Sequence, residues 1–279
     1  MNRFAKKQSL TTKIQLGMLV LIVSFFGPNC QANQTVNAIH ATDYTAWQNP
    51  DYILKAFQEI ALKNEYQTTQ KRILKWQKPI HYQFHYKALK RNPLVENLFN
   101  THLQHLSAIT GLEITPTLGQ SANLNIYLTQ DKLYADVIHQ YTASKVKGIS
   151  RDSNCMGSFK TNKHNEITQA TIVLPVDHVY SRGLLVACIV EESTQVLGLP
   201  NDASWVNPSI ANDDSKIELL TGLDYILLKL LYNQHIKLGM SQSESQKVLK
   251  KLIKQLIENG DVKNAYKKVN AQGLNQVVN

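Results

Sequence analysis

Leu184-Leu185-Val186-Ala187-Cys188-Ile189-Val190-Glu191-Glu192-Ser193-Thr194-Gln195-Val196-Leu197-Gly198-Leu199-Pro200-Asn201-Asp202 is the stretch on which the fold turns. Apolar residues at helical spacing surround two adjacent acids, and Gly198 and Pro200 stop the run. The pattern predicts one helix over 180–197. Glu191 and Gln195 are four apart, so they share a face with Leu184 and Cys188. That face otherwise reads as buried, and a buried carboxylate needs a cation, a hydrogen-bond network or a raised pKa. Gly198 lets the chain turn, so that Asn201 and Asp202 fold back toward the same face.

Working outward, residues 50–64 carry helical spacing, and Ile80 to Tyr86 alternates as a strand does. Pro93 opens a helix that Gly111 stops. Strands are expected at 114–118 and 123–128, with a helix over 131–140. Residues 143–168 read as loop, and 171–175 as a short edge strand ended by Pro175. Beyond the central helix come helices only: one over 221–232, and one opened by Ser241 with Glu244 as a capping box. On that last helix Val248, Leu252, Ile253 and Leu256 point inward. Strands and helices first, then helices alone, indicate an α+β class with a twisted mixed sheet packed on helices.

The chain of 279 residues carries 30 Lys+Arg, 21 Asp+Glu and three cysteines. Residues 1–32 read as a secretory signal: Arg3, Lys6, Lys7 and Lys13 precede the apolar run Leu16 to Phe26, and Cys30-Gln31-Ala32 offers small residues for cleavage after Ala32. An uncleaved membrane anchor is the alternative, against which Pro28 and the polar stretch beyond it argue. Removing this segment leaves 247 residues and lowers the net charge from +9 to +5, because it holds four basic residues and no acid. The expected location is periplasmic or secreted, where disulfides persist. Two cysteines remain, Cys155 and Cys188. They lack the CxxC spacing of a redox pair and are expected to form a structural disulfide.

The spacing Glu191-Glu192-x-x-Gln195-x-x-Gly198-x-x-Asn201 resembles the metzincin zinc-peptidase motif His-Glu-x-x-His-x-x-Gly-x-x-His with every ligand replaced. Pro208-Ser209-Ile210-Ala211 resembles the turn beneath the metal, with Ala211 at the methionine position. Leu220 to Asp224 and the apolar residues after it resemble the closing helix, and Lys75-Trp76 resembles the lead into the first strand. The core from Cys188 to Asp202 is also similar to a bacterial family, the domain of unknown function 2927. The resemblance spans about residues 70–245. It implies a metzincin (zincin-like) domain over 70–240, with an N-terminal helical arm at 33–69 and a basic C-terminal helix and tail at 241–279. By the same resemblance Glu191, Gln195 and Asn201 stand at the metal-ligand positions and Glu192 at that of the general base. Gly198, Ser209, Ala211, Asp202 and Asp224 frame the site.

One carboxylate and two amides are hard oxygen donors, suited to Ca²⁺, Mg²⁺ or Mn²⁺ rather than zinc. Without a metal-activated water, ordinary peptidase turnover is lost. The expectation is therefore no cofactor, or at most a hard divalent cation, and an envelope binding or scaffold protein that holds an extended peptide or envelope protein along its edge strand. The alternative is an atypical hydrolase with Glu192 as base. A plainer reading makes the site a polar knot, in which Gln195 and Asn201 bond main chain and Glu191 is paired. The lysines at 247, 250, 251, 254, 263, 267 and 268 form a basic face, either solvated or set against an anionic membrane surface. Nothing interleaves aromatics with these charges as a nucleic-acid reader does.

Overall fold

A computed structural model describes residues 45–64, 71–117, 121–142 and 148–278. The signal reading at 1–32 lies outside them. Among the described residues no helix is long and apolar enough to cross a membrane.

The first helix, α1 (Pro50–Leu62), starts where Asn49 accepts the amide of Asp51 at 2.8 Å and Pro50 needs no partner of its own. Strand β1 (Ile80–Lys87) follows, then α2 (Pro93–Thr110), which Gly111 ends at φ 74°. Strands β2 (Ile114–Pro116) and β3 (Leu124–Thr129) precede α3 (Tyr134–Tyr141) and the single turn α4 (Ile149–Asp152). The hairpin β4 (Met156–Thr161) and β5 (Ile167–Pro175) leads to α5 (Val176–Ser181) and α6 (Leu185–Gln195). After a long connection come α7 (Gly222–Leu231), α8 (Gln242–Glu258) and α9 (Ala265–Asn270). Capping boxes at Thr221/Asp224 and Ser241/Glu244 open α7 and α8.

The protein is α+β. Its five-stranded mixed sheet runs in the order β2-β1-β3-β5-β4, parallel except for the antiparallel edge strand β4. Alternate residues of the inner strands, such as Tyr82, Leu124, Ile126, Ile172 and Leu174, enter one large core with Phe57 of α1, Phe99 of α2, Ile189 of α6 and Leu228 of α7. The core also takes in Leu252 of α8 and Val269 of α9. On the opposite face α3 covers a smaller cluster of Tyr127, Tyr134, Val137, Ile138, Met156 and Val173.

Three expectations need correction. The edge strand is β4, within a segment that reads as loop, while residues 171–175 belong to the inner strand β5. The run 180–197 is not one helix: Gly183, at φ 72°, breaks it, and the amide of Leu184 bonds back to the carbonyl of Val179 at 2.8 Å. On α8 the inward set includes Leu249, fully buried, while Val248 and Leu256 are only half-buried.

Cys155 and Cys188 form a disulfide, with Cα atoms 5.9 Å apart and a sequence separation of 33. It ties the start of β4 to α6. Loop-closure entropy makes the bridge worth about 3–4 kcal/mol. Chemical denaturation with and without reductant should show a loss of that size; equal midpoints would mean the unfolded chain gains nothing by losing the bridge.

Candidate functional site

The site is built where α6 meets β4 and the connection to α7. Its floor is set by Gly198, held at φ 110° just past α6. A Cβ there would lie 2.2 Å from the carbonyl oxygen of Leu74, so a bare backbone is what lets the turn pack against 73–76. The indole of Trp76 donates to the carbonyl of Val196 at 2.9 Å, and the hydroxyl of Tyr232 donates to that of Leu197 at 2.6 Å. Lys75 is buried and donates to the carbonyls of Leu231 at 3.0 Å and Ile236 at 2.6 Å, at the end of α7. Burial, helped by Lys237, pulls its pKa down to about 8.

The connection itself hangs on Asp224. This acid is fully enclosed at the first turn of α7. It accepts the Ser209 hydroxyl at 2.6 Å, the Thr221 amide at 2.8 Å and the Ile210 amide at 3.2 Å. Burial pushes its carboxyl pKa up, and those hydrogen bonds from Ser209, Thr221 and Ile210 oppose the push. The Ser209 hydroxyl also accepts the amide of Ala211 at 3.1 Å. Asp224 thus fixes the turn 208–211, whose Ile210 faces the cavity. Asp224→Ala leaves several buried donors unpaired and should cost about 3 kcal/mol in urea unfolding. A cost within error of zero would mean that the turn holds without it.

A cavity of about 290 Å³ opens beside α6. Cys155, Met156 and Gly157 line one side, Leu184, Glu191, Glu192 and Gln195 the helical side, and Ile210, Asn212, Asp213 and Ile217 the loop side. The two adjacent acids diverge around the helix, as the 100° step per residue requires. Glu192 is buried and points at β4, where a Cβ on Gly157 would meet its Oε2 at 2.7 Å. It also lies near Tyr134, whose hydroxyl is 3.0 Å from that of Ser153. The phenol's pKa is raised first by burial and further by the charge of Glu192.

Glu191 turns instead to two loop acids. Glu191, Asp202 and Asp213 each offer a carboxylate oxygen, all within 4.8 Å of one another. Partial burial, and then Asp214 beside it, raises the pKa of Asp213. Gln195 stands next to this trio, and its Nε2 donates to both carboxylate oxygens of Asp202, at 3.0 and 3.1 Å. Asn201 is buried and directs its Nδ2 to the carbonyl of Asp202 at 2.9 Å. The sequence-predicted set is therefore split. Glu191 meets Asp202, Gln195 braces Asp202, and Asn201 is joined to main chain behind it.

Asp213 is the member that sequence reasoning missed. It sits in an irregular connection 22 positions from Glu191, beside Asn212, whose Nδ2 donates to the carbonyl of Ser204 at 2.9 Å. A trio of carboxylates is hard-cation chemistry; imidazole and thiolate, which zinc prefers, have no member in it. His178, the histidine nearest in sequence, is not a member of the trio: it stands 3.0 Å from Oδ1 of Asn154, which also lines the cavity, and 3.6 Å from Asp131.

Comparison with known proteins gives one family. The family described as "Protein of unknown function (DUF2927)" matches residues 50–251, well over half of the chain. No curated protein matches.

Proposed function

The chain belongs to the DUF2927 family of proteins of unknown function, and from that premise we propose an exported, metzincin-like envelope protein that binds an extended peptide without cutting it. One observation carries the reading: the edge strand β4 is antiparallel, and its first residues line the cavity beside α6. An edge strand offers unpaired amides and carbonyls that a peptide can extend as a further strand, while the cavity takes a side chain. The metzincin-like part draws on the Glu191, Gln195, Gly198 and Asn201 frame and on the turn 208–211 held by Asp224. Zinc does not suit the donor set, so Glu192 has no zinc-bound water to deprotonate. The exposed lysines of α8 and α9 support contact with an anionic envelope surface.

The test is a library of fluorescent peptides presented to mature protein, with anisotropy for binding and mass spectrometry for products. Binding without cleavage is expected, and N-methylation of alternate ligand amides should weaken it about tenfold or more. No binding by any peptide would overturn the reading.

The trio of Glu191, Asp202 and Asp213 favours a second reading, a hydrolase holding a hard cation with Glu192 as general base. Calorimetric titration with Ca²⁺ and Mn²⁺ decides it. Stoichiometric binding that Asp213→Asn abolishes, together with peptide cleavage that Glu192→Gln abolishes, would replace the first reading.

A further inference from the structure

On the sheet face opposite α6, three neighbouring strands bring polar side chains into register. Asn125 of β3 stands beside Thr171 of β5, Ser158 of β4 stands opposite the same Thr171, and Lys160 stands opposite Gln169. Strands about 4.8 Å apart, with same-face residues about 7 Å apart along each, make this a flat polar floor. Helix α3 covers only the neighbouring part of the face, over Tyr127 and Val173.

The last residue of α3, Tyr141, closes one side of the floor. Its ring stacks on Tyr127 at 4.2 Å and 20°, and Tyr127 stacks in turn on His85 at 4.6 Å and 18°. His85 Nε2 lies 2.8 Å from Asn125 Oδ1, which fixes the far end of the stack. Lys87 donates to the Tyr141 hydroxyl at 2.7 Å with its Nζ 4.5 Å from the ring centroid. Those two distances put the ammonium at the hydroxyl edge of the ring rather than squarely over its face. The stack is thereby held rigid from both ends.

Between this wall and the floor lies a cleft of about 110 Å³ lined by Asn125, Tyr141, Ser158, Lys160, Gln169 and Thr171, with no carboxylate among the described residues that line it. Among the described residues, the side chains of Ser158, Lys160 and Gln169 make no hydrogen bond or ion pair within the protein. A hydroxyl, an ammonium and an amide therefore face the cleft with their donors and acceptors unspent.

We propose that this cleft binds a saccharide, one hexose ring of a glycan, with a C–H face of the sugar against Tyr141 and its hydroxyls on Ser158, Gln169, Lys160 and Thr171. The lining selects this class. An apolar ligand wants apolar walls, and a phosphate group wants more than the one cation, Lys160, found among the described lining residues. A polyhydroxylated ring wants a mixture of donors and acceptors beside one rigid aromatic plane. The site is on the other side of the sheet from the cavity at α6 and does not depend on the peptide reading.

Saturation-transfer NMR with cellotriose, maltotriose and triacetylchitotriose tests it on mature protein. Transfer to sugar ring protons from at least one of the three is expected. Tyr141→Ala should weaken that sugar about tenfold or more. Because Tyr141→Ala also removes packing from α3, the double variant Ser158→Ala/Gln169→Ala is the companion: unchanged melting temperature with binding weakened about tenfold supports the site. Absence of transfer from all three sugars overturns the proposal. So does binding that the double variant leaves unaltered.

Discussion

Gly198→Ala should be among the most damaging single methyl groups this chain can receive, with a loss of about 4 kcal/mol or more. Two costs add. The residue sits at φ 110°, where L side chains are strained, and its Cβ would lie 2.2 Å from the carbonyl oxygen of Leu74. That carbonyl has little room to retreat. The amide of Ile73 is bonded to Met240 at 2.9 Å, its carbonyl accepts Gly239 at 2.9 Å, and the carbonyl of Lys75 accepts Ile167 at 3.0 Å. For a domain of this size the expected drop in melting temperature is about 8–16 °C. Gly183→Ala is the control, since Gly183 has φ 72° and open space around its Cβ position. It bears the conformational cost alone, about 1–2 kcal/mol. If both variants melt together, the close approach of 198 to 74 is not what makes the glycine necessary.

A second large effect is expected from acid. His102 on α2 is enclosed, its Nε2 has no hydrogen-bond partner, and its pKa is depressed to about 3. Burial is the main cause and neighbouring His105 adds to it, while a backbone hydrogen bond at Val190 works the other way. His105 is itself lowered by burial. The native state therefore keeps His102 neutral where the unfolded chain protonates it. Its contribution is complete above the unfolded pKa near 6.5 and is lost as the pH falls from there toward about 3. One such proton gives a slope of about 1.4 kcal/mol per pH unit, so urea unfolding at pH 5 should show about 2 kcal/mol less stability than at pH 7 from His102 alone. His102→Leu removes that share and leaves the parts due to His105 and to the carboxylates whose pKa values folding shifts. Parallel pH profiles for the wild type and the variant would show that the imidazole is not held neutral.

The alternation of Ile80 to Tyr86, the helical spacing from Pro50, the Pro93 start and the Ser241/Glu244 box were all legible because each is a local signal. Strand β4 was not legible. Its residues Met156-Gly157-Ser158-Phe159-Lys160-Thr161 lack a full apolar face, because this edge strand borders a cavity on one side and solvent-facing polar groups on the other. A clue lay in Asn162-Lys163-His164-Asn165, a turn between two short runs in which Asn165 adopts φ 63°. Gly183 was read through because apolar residues continue on both sides of it. At the site, helical spacing could place Glu191 and Gln195 on one face. It could not say that Gln195 would spend its amide on Asp202, or that Asp213 would arrive from a loop whose path is set by Asp224 and Ser209.

The bridge between Cys155 and Cys188 has a consequence for how the chain withstands proteolysis. It closes a covalent ring containing β4, β5, α5 and the first turn of α6. A single protease nick anywhere inside that ring, such as at the exposed turn residues Lys163 and His164, yields two polypeptides that stay joined through sulfur. Both walls of the cavity then remain tethered on either side of the nick, and a nicked molecule runs as intact protein on a non-reducing gel and as two fragments on a reducing one.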